Sequence, residues 1–259
     1  MNILDKIIAH KKIEVAERKA ATSIADLEKS PAFSRPVLSL KQFLLDDSKT
    51  GIIAEFKRKS PSKGIINGDA DVVAVTTAYA QHGASGLSVL TDTTFFGGST
   101  EDLVKARVNN IPILRKEFII DEYQLVEAKA MGADVILLIA ACLTPADVQR
   151  LARFAQSLQL EVLLELHDEE ELAHICEETV LVGINNRNLK TFVVDIERSL
   201  AMAQRIPANK VKIAESGISS AENIRLFRDH GFRGFLIGEN FMKEPNPGAA
   251  FEQFVKALH

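Results

Sequence analysis

Lysine and glutamate side chains stand at the ends of short apolar runs, where charged residues are unusual. The run IIAEFKRKSPSKG (residues 52–64) carries Glu55 and Lys57, which share one face if the segment is a strand. Two later runs end near Lys116 and Glu165. Buried or half-buried Lys and Glu are rare unless they are paired or functional. Acids and bases gathered in one place would be suited to proton transfer.

Further polar residues follow two other apolar runs, VGINNRN (182–188) and KIAESG (212–217). The residues that these runs offer are Asn185, Asn186, Arg187, Glu215 and Ser216. A single charged strand end would be interpreted as a solvent-exposed end. Polar groups at five strand ends on one rim instead favour an active site.

Lys116 has two chemical interpretations, and the sequence does not separate them. It could be a general acid, or a Schiff-base nucleophile of the kind found in barrel aldolases. Glu165 could exchange protons with a ligand or serve only as the ion-pair partner of a barrel lysine. His167 would face the same way as Glu165 only if the strand continued that far.

Glycines after the last two apolar runs predict a phosphate site. Gly217 lies in the segment AESGIS, and Gly238 lies in LIGEN. Glycine lets backbone N–H groups approach an anion, and the start of a following helix adds a favourable dipole. The loop SPSKG (60–64), which begins at Ser60, would add hydroxyl and cationic contacts from the other side.

These residues need a fold that brings strand ends together. Eight short apolar runs alternate with eight amphipathic segments, at a repeat of about 25 residues. The predicted strands are Ile52–Lys57, Gly86–Leu90, Ile111–Arg115, Asp134–Ala140, Glu161–Leu166, Leu181–Ile184, Val211–Glu215 and Gly234–Gly238. The pattern favours the α/β class and a closed (β/α)₈ TIM barrel, in which functional groups come from the C-terminal strand ends.

The amphipathic segments between the strands predict the surrounding helices. They lie near Asp71–His82, Glu101–Val108, Glu122–Met131, Pro145–Leu158, Glu169–Glu178, Ile196–Arg205, Ser219–His230 and Gly248–Leu258. Predicted helix boundaries include N-caps at Thr144 (before Pro145), Asp168 and Ser219, and stops at Gly132 and Gly231. An open doubly wound sheet is the alternative fold, but no Gly-rich dinucleotide fingerprint follows the first strand.

The first fifty residues have a different pattern. Apolar residues recur there at helical spacing among Lys and Glu, followed by a Ser/Pro-rich stretch (30–36) and a second helical piece (38–45). We therefore predict an N-terminal helical extension over residues 1–48, packed on a barrel catalytic domain over residues 49–259. The Lys-rich helix is expected to lie near the barrel mouth and to help close the site.

The composition excludes several classes of protein. The formal net charge of −4 argues against nucleic-acid binding, but it leaves room for a local basic pocket. Cys142 and Cys176 are far apart and lack metal-type spacing, which is typical of a reducing compartment. The N-terminus lacks a signal-peptide core, and the longest apolar run, Val135–Leu143, is about half the length of a membrane span. We therefore expect a cytoplasmic protein without nucleic-acid or membrane partners.

Taken in order, the strand ends resemble the indole-3-glycerol-phosphate synthase family of tryptophan biosynthesis. The matching segments are 52–64, 79–92, 112–124, 163–166, 182–189, 213–218 and 234–242. The resemblance implies a reaction on 1-(2-carboxyphenylamino)-1-deoxyribulose 5-phosphate. In that reaction the anthranilate ring carbon attacks the ribulose carbonyl, and carbon dioxide and water are lost. It also implies that no metal or organic cofactor is needed.

The same resemblance implies a role for each site residue. Lys116 is similar to the general acid that protonates the carbonyl, and Glu165 to the acid/base or electrostatic partner near the substrate amine. Glu55 and Lys57 resemble the pair that assists proton transfer in dehydration. The orienting residues would be Asn185, Glu215 and Ser216. The substrate and phosphate contacts would come from Lys57, Ser60, Arg187, Ser216, Gly217 and Gly238.

One position departs from the family pattern. Glu239 follows Gly238 where a small hydroxyl residue often stands. Because a carboxylate repels phosphate, we expect its side chain to turn away and only backbone N–H groups to bind there. The chain also ends soon after the eighth helix, which leaves no room for the isomerase domain fused to this enzyme in some bacteria. A monofunctional, monomeric enzyme with a small phosphorylated substrate is expected.

Two alternatives stay open at this stage. The first is another phosphosugar barrel enzyme, such as a ribosyl-anthranilate isomerase or a Schiff-base aldolase, although that isomerase would need different groups at the first strand. The second is a catalytically inactive barrel that senses a phosphorylated metabolite. A sensor has no need of four proton-transfer groups, namely Glu55, Lys57, Lys116 and Glu165.

Overall fold

Eight parallel strands close into a barrel in the computed structural model, which describes residues 3–188 and 193–258. The strands are β1 (Ile52–Phe56), β2 (Gly86–Leu90), β3 (Ile113–Lys116), β4 (Val135–Ile139), β5 (Glu161–Leu166), β6 (Leu181–Asn185), β7 (Val211–Glu215) and β8 (Phe232–Ile237). Each strand pairs with the next in chain order, and β8 closes the barrel against β1. The predicted (β/α)₈ class is confirmed, and each of the eight predicted strands overlaps an observed one.

The strands are apolar on both faces because both faces are buried. Ile53 packs with Leu114 and Leu163 in the cluster that fills the barrel, whereas Ile52 and Ala54 pack under the surrounding helices. Side chains alternate between these two environments along each strand. A charged residue on the parity of Ile53 therefore faces the inside of the barrel.

Helices cover the outside of the barrel. The α-helices are α1 (Ile3–Ala21), α2 (Ile24–Leu27), α3 (Leu40–Leu45), α4 (Val72–Gln81), α5 (Thr100–Ala106), α6 (Glu122–Met131), α7 (Pro145–Ser157), α8 (Ile196–Ala203), α9 (Ala221–Asp229), α10 (Glu239–Met242) and α11 (Pro247–Lys256). Short 3₁₀ helices span Ala140–Cys142 and Glu169–His174, and a small antiparallel ladder joins Lys59–Ser60 to Gly64–Ile65. Thr144 caps α7 ahead of Pro145, and Gly132 ends α6 in the left-handed conformation, both as predicted.

The helix predicted after β5 was wrong in type and length. A 3₁₀ helix over Glu169–His174 replaces the α-helix expected to reach Glu178. The His174 Nδ1 lies 3.0 Å from the Glu171 carbonyl oxygen, which would have been the next helical acceptor. The Ile175 N–H therefore bonds three residues back rather than four, and the helix tightens and ends.

The cap of α9 was predicted one residue too early. Ser220 is the N-cap and accepts the Asn223 N–H, whereas the Ser219 N–H donates to the Asn223 side-chain oxygen at 3.1 Å. The helices α2 and α10 were not predicted. Each has four residues, which is too short to show a helical period in the sequence.

The N-terminal helices contact both ends of the barrel. Leu40 of α3 lies beneath Gly86, the first residue of β2. At the opposite rim, the fully buried Nζ of Lys11 in α1 lies 2.9 Å from both the Asp92 and the Glu117 carboxylates, which follow β2 and β3. The extension is therefore fixed to the C-terminal rim as well as to the bottom of the barrel.

The division of the chain into an extension (1–48) and a separate barrel domain (49–259) stays a prediction. Across residues 3–188 and 193–258, no helix has the length and apolar character needed to cross a membrane.

Candidate active site

A cavity of about 470 Å³ opens at the C-terminal ends of the barrel strands. The structure places eleven of the predicted residues in its lining but leaves out Asn186; the eleven are Glu55, Lys57, Ser60, Lys116, Glu165, Asn185, Arg187, Glu215, Ser216, Gly217 and Gly238. Parallel strands of a barrel end on the same rim, so residues far apart in sequence meet there. The cavity is the candidate active site.

Four charged residues from the odd-numbered strands form the floor of the cavity. Glu55, Lys116, Glu165 and Glu215 come from β1, β3, β5 and β7. Side chains from alternate strands form one layer inside a (β/α)₈ barrel. The charges therefore occupy a layer that is normally apolar, immediately above the hydrophobic filling of the barrel.

Lys116 lies between two carboxylates of this layer. Its Nζ is 3.0 Å from the Glu165 Oε2 and 2.9 Å from the Glu215 Oε2. Burial alone would lower the pKa of Lys116, but Glu165, Glu215 and Glu55 together raise it above its usual value. The ammonium form is therefore the stable one at any ordinary pH.

The two carboxylates beside Lys116 differ in acidity. Burial works against ionisation of Glu165, yet Lys116 and His167 hold the pKa of Glu165 well below its usual range. Burial and the nearby Glu165 charge raise the pKa of Glu215 to about 7, although Lys116 opposes this shift. Near neutral pH, Glu165 is ionised and Glu215 is poised to gain or lose a proton.

Two neighbours orient the Glu165 carboxylate. The Asn185 Nδ2 donates to the Glu165 Oε1 at 3.1 Å, and the His167 Nε2 lies 3.1 Å from the same oxygen. Burial alone would lower the pKa of His167, but Glu165 and Glu171 raise it to about 10. Strand β5 ends at Leu166, one residue before His167. The alternation of side chains along a strand therefore could not predict that His167 lies beside Glu165.

Glu55 and Lys57 form a second ion pair at the end of β1. The Lys57 Nζ lies 2.8 Å from the Glu55 Oε1, and Glu55 is buried while Lys57 is half-buried. An added Cβ at Gly238 would lie 2.6 Å from the Glu55 Oε1, and one at Gly183 would lie 2.0 Å from the Glu215 Oε1. Gly183 in β6 therefore leaves space for the Glu215 carboxylate, and Gly238 after β8 leaves space for the Glu55 carboxylate.

The other end of the cavity presents backbone and cationic groups. Ser216 and Gly217 both adopt the left-handed conformation, with φ of 67° and 70°. Arg187, which follows β6, and Ser60, in the loop after β1, line the same cavity. The arrangement suits an anion of the size of a phosphate group.

Glu239 is among the residues that line the cavity, and its carboxylate lies 3.3 Å from the Arg187 Nη2 and 3.5 Å from the Lys63 Nζ. The expectation that its side chain turns away from a bound phosphate stays a prediction. Two cations compensate the charge of this side chain. The sequence pattern could not show this because the partners lie in different loops.

An apolar wall completes the cavity, and sequence reasoning named none of its residues. Helix α1 contributes Ile3, Leu4 and Ile7, β4 contributes Leu137, and the segment after β3 contributes Phe118. The helical spacing of the N-terminal isoleucines indicated an apolar face, and the expected position of this helix near the barrel mouth is confirmed. The wall is suited to an aromatic ring.

Comparison with known proteins identifies the family of the chain. A family model described as indole-3-glycerol phosphate synthase matches residues 4–254. An indole-3-glycerol phosphate synthase of Bacteroides thetaiotaomicron is 50% identical over 258 residues, covering 99% of each chain. One from Bordetella pertussis is 44% identical, covering 98% of this chain and 99% of the relative.

Solved structures agree on the fold. The tryptophan synthase alpha subunit of Legionella pneumophila superposes with a TM-score of 0.61 at 13% identity, covering 85% of this chain and 96% of that one. A chain of the Pyrococcus furiosus tryptophan synthase complex gives a TM-score of 0.59 at 16% identity, covering 80% and 97%. At such identities the likeness concerns the barrel alone, whereas the family model and the near-full-length relatives concern the whole chain. The chain belongs to the indole-3-glycerol phosphate synthase family.

Proposed function

We propose that this chain converts 1-(2-carboxyphenylamino)-1-deoxyribulose 5-phosphate to indole-3-glycerol phosphate by ring closure, decarboxylation and dehydration. The observation that carries the proposal is the Lys116 ammonium, held between Glu165 and Glu215 on the floor of the cavity. The same cavity has apolar residues suited to the ring and backbone and cationic groups suited to the phosphate.

Lys116 acts as the general acid of ring closure. The anthranilate carbon that bears the carboxylate attacks the ketone carbon of the sugar, and the carbonyl electrons move to oxygen. That oxygen takes a proton from Lys116, and carbon dioxide then leaves, its bonding electrons restoring the aromatic ring. Because the pKa of Lys116 is raised, the proton stays in place until negative charge develops on the substrate oxygen. A placed acid of this kind contributes about 10²–10⁴-fold.

The Glu55 and Lys57 pair assists the dehydration that follows. The new hydroxyl leaves as water once Lys57 has protonated it, and Glu55, 2.8 Å from the Lys57 Nζ, stabilises the ammonium that gives the proton. A proton must also leave the carbon beside the substrate amine. Glu165, which is ionised and oriented by Asn185, accepts it.

The remaining lining residues bind rather than react. Gly217, Gly238, Ser60 and Arg187 surround the phosphate, with Ser216 orienting the substrate beside them. A phosphate held at one end of the cavity supplies binding energy that orients the reacting carbons at the other end.

Indole fluorescence tests the proposal directly. The protein has no Trp, so its own emission in the indole region is low. Adding the substrate at catalytic enzyme concentration should produce indole emission that grows linearly with time. If the protein binds the substrate but the emission does not exceed that of a buffer control, the sensor alternative replaces the synthase.

The Schiff-base alternative is disfavoured by the charge around Lys116. A nucleophilic lysine needs a free amine, whereas the surrounding carboxylates raise the pKa of Lys116 and keep it protonated. Borohydride reduction in the presence of substrate should therefore leave Lys116 unmodified, as shown by mass spectrometry of peptides. A stable adduct on Lys116 would assign it as a nucleophile instead.

A monomeric state and a cytoplasmic location are part of the proposal. Cys142 and Cys176 are both unpaired thiols, which supports a reducing environment. Size-exclusion chromatography with light scattering at assay concentration should give the mass of one chain. A larger mass would replace the monomer with an oligomer.

A further inference from the structure

We propose that Asn186 is a positioning residue for the phosphate site. Its carboxamide holds the peptide between Ser216 and Gly217 so that the Gly217 N–H faces the phosphate. The inference rests on the proposed function and deepens it, because Asn186 itself does not line the cavity and is fully buried behind it.

Three hydrogen bonds fix Asn186 between separate parts of the chain. Its side-chain Nδ2 donates to the Ser216 carbonyl oxygen at 2.8 Å. Its backbone N–H donates to the Glu215 carbonyl oxygen at 2.8 Å, and its own carbonyl accepts the Asp195 N–H at 2.9 Å. Asn186 therefore joins the end of β6 to the end of β7 and to the start of α8. Because the Asn186 backbone is held by both its N–H and its carbonyl, its buried side chain can in turn orient the peptide it contacts.

The bond to the Ser216 carbonyl decides where the next N–H points. Among the described residues every peptide bond is trans, so the Ser216 C=O and the Gly217 N–H point in opposite directions. Because the Ser216 carbonyl oxygen points at Asn186, the Gly217 N–H points away from Asn186. Gly217 is itself one of the residues that line the cavity. Within residues 3–188 and 193–258, no hydrogen bond uses this N–H as a donor.

The backbone around this peptide is unusual and needs such a restraint. Ser216 has a φ of 67°, a conformation that residues other than glycine seldom adopt. Such conformations persist only when the surroundings over-determine them. Rotation of the Ser216–Gly217 peptide would turn its carbonyl oxygen, rather than its N–H, toward the phosphate. The Asn186 bond opposes that rotation.

Val194 restricts Gly217 from another side. An added Cβ at Gly217 would lie 2.5 Å from the Val194 Cγ1. Val194 is itself held by a bridge to Arg187, one residue beyond Asn186. Val194 therefore packs against Gly217, Asn186 holds the preceding carbonyl, and Gly217 itself lines the cavity.

Replacement of Asn186 by Ala tests the inference against a purely structural role. We expect the KM for the substrate and the inhibition constant of inorganic phosphate to rise roughly tenfold, because one N–H bond to a charged group is lost. The kcat should change much less than KM, since none of the proton-transfer groups is touched. Asn186→Leu retains side-chain volume without a donor and should behave in the same way.

Asn109→Ala is the matched control. Asn109 is also a buried carboxamide, and its Nδ2 donates to the Ala106 carbonyl oxygen at 2.9 Å, but it does not line the cavity. Asn109→Ala should lower the melting temperature and leave the inhibition constant of inorganic phosphate unchanged. An unchanged phosphate constant in both Asn186 variants, or an equal rise in Asn109→Ala, would overturn the inference.

Phosphate binding measured without turnover separates the two proposals. Titration of inorganic phosphate, followed by ³¹P NMR, requires no catalytic activity. If the unmodified protein binds phosphate but forms no indole product, the proposed function fails while the Asn186 comparison still applies. If the unmodified protein converts the substrate and the Asn186 variants bind phosphate with the same affinity as the unmodified protein, only the inference about Asn186 fails.

Discussion

At the scale of single residues, the site depends on charges that keep one another in place. Lys116 neutralises Glu165 and Glu215, and these carboxylates keep Lys116 protonated. The same contacts therefore stabilise the fold and hold the proposed general acid in place. Substitutions that preserve shape separate the two contributions.

Lys116→Met should abolish the acid while retaining most of the side-chain length. We expect kcat to fall by about 10²–10⁴-fold, because the carbonyl oxygen loses its proton donor. Two buried carboxylates would then face each other without a cation, so the loss of stability should be larger at pH 8 than at pH 5. Indole fluorescence gives kcat, and thermal melts at the two pH values give stability. Turnover at the original rate would make Lys116 a structural residue.

Glu215 should set the pH dependence near neutrality. Its pKa is raised to about 7, so the carboxylate that orients Lys116 is lost as the pH falls below that value. We expect kcat/KM to rise with pH through an inflection near pH 7, and Glu215→Gln to lack this inflection. The rate of each protein, measured by fluorescence from pH 5.5 to 9, checks this. An inflection that persists in Glu215→Gln belongs to another group.

At the scale of elements, a glycine in one strand makes room for a charged side chain of the neighbouring strand. Gly183 in β6 leaves the space that the Glu215 carboxylate of β7 occupies. Because neighbouring parallel strands pack at a fixed spacing, a carboxylate inside the barrel needs a small residue beside it. The glycine and the acid therefore form one unit, although they lie on different strands.

Gly183→Ala should displace Glu215 and lower kcat toward the value of Glu215→Gln. The added Cβ would lie 2.0 Å from the Glu215 Oε1 and 3.2 Å from a methyl carbon of Leu163. Gly68→Ala is the control, because its Cβ would meet only ordinary contact at 3.4 Å. We expect the control to keep full activity. Equal kcat in Gly183→Ala and the unmodified protein would mean that the carboxylate moves without cost.

The sequence predicted those elements that have a strong local pattern. Apolar runs revealed all eight strands, and the parity of Ile53 placed Glu55 on the inside of the barrel. What it did not reveal depends on contacts between distant segments. The Arg187 guanidinium donates to the Glu239 carboxylate, 52 residues away, and the Asn186 side chain donates to the Ser216 carbonyl oxygen, 30 residues away. No local spacing encodes such pairs.

At the scale of the whole molecule, the N-terminal helix joins the site to the stability of the fold. Lys11 of α1 is completely buried, and its ammonium contacts the carboxylates of Glu14, Asp92 and Glu117. The first turns of the same helix form part of the apolar cavity wall. Removing residues 1–45 would also uncover the bottom of the barrel, where Leu40 packs. A single substitution in α1 is therefore the sharper test.

Lys11→Met should destabilise the protein and weaken substrate binding together. It would leave the carboxylates of Asp92 and Glu117 buried without their cation, at a cost of about 3–5 kcal/mol in the free energy of unfolding. Because α1 then docks less firmly, we expect KM to rise while the proton-transfer groups stay intact. Lys12→Met, on the exposed side of the same helix, should change neither quantity. Urea unfolding and steady-state kinetics check both. A destabilised Lys11→Met with an unchanged KM would show that α1 supports the barrel without forming part of the site.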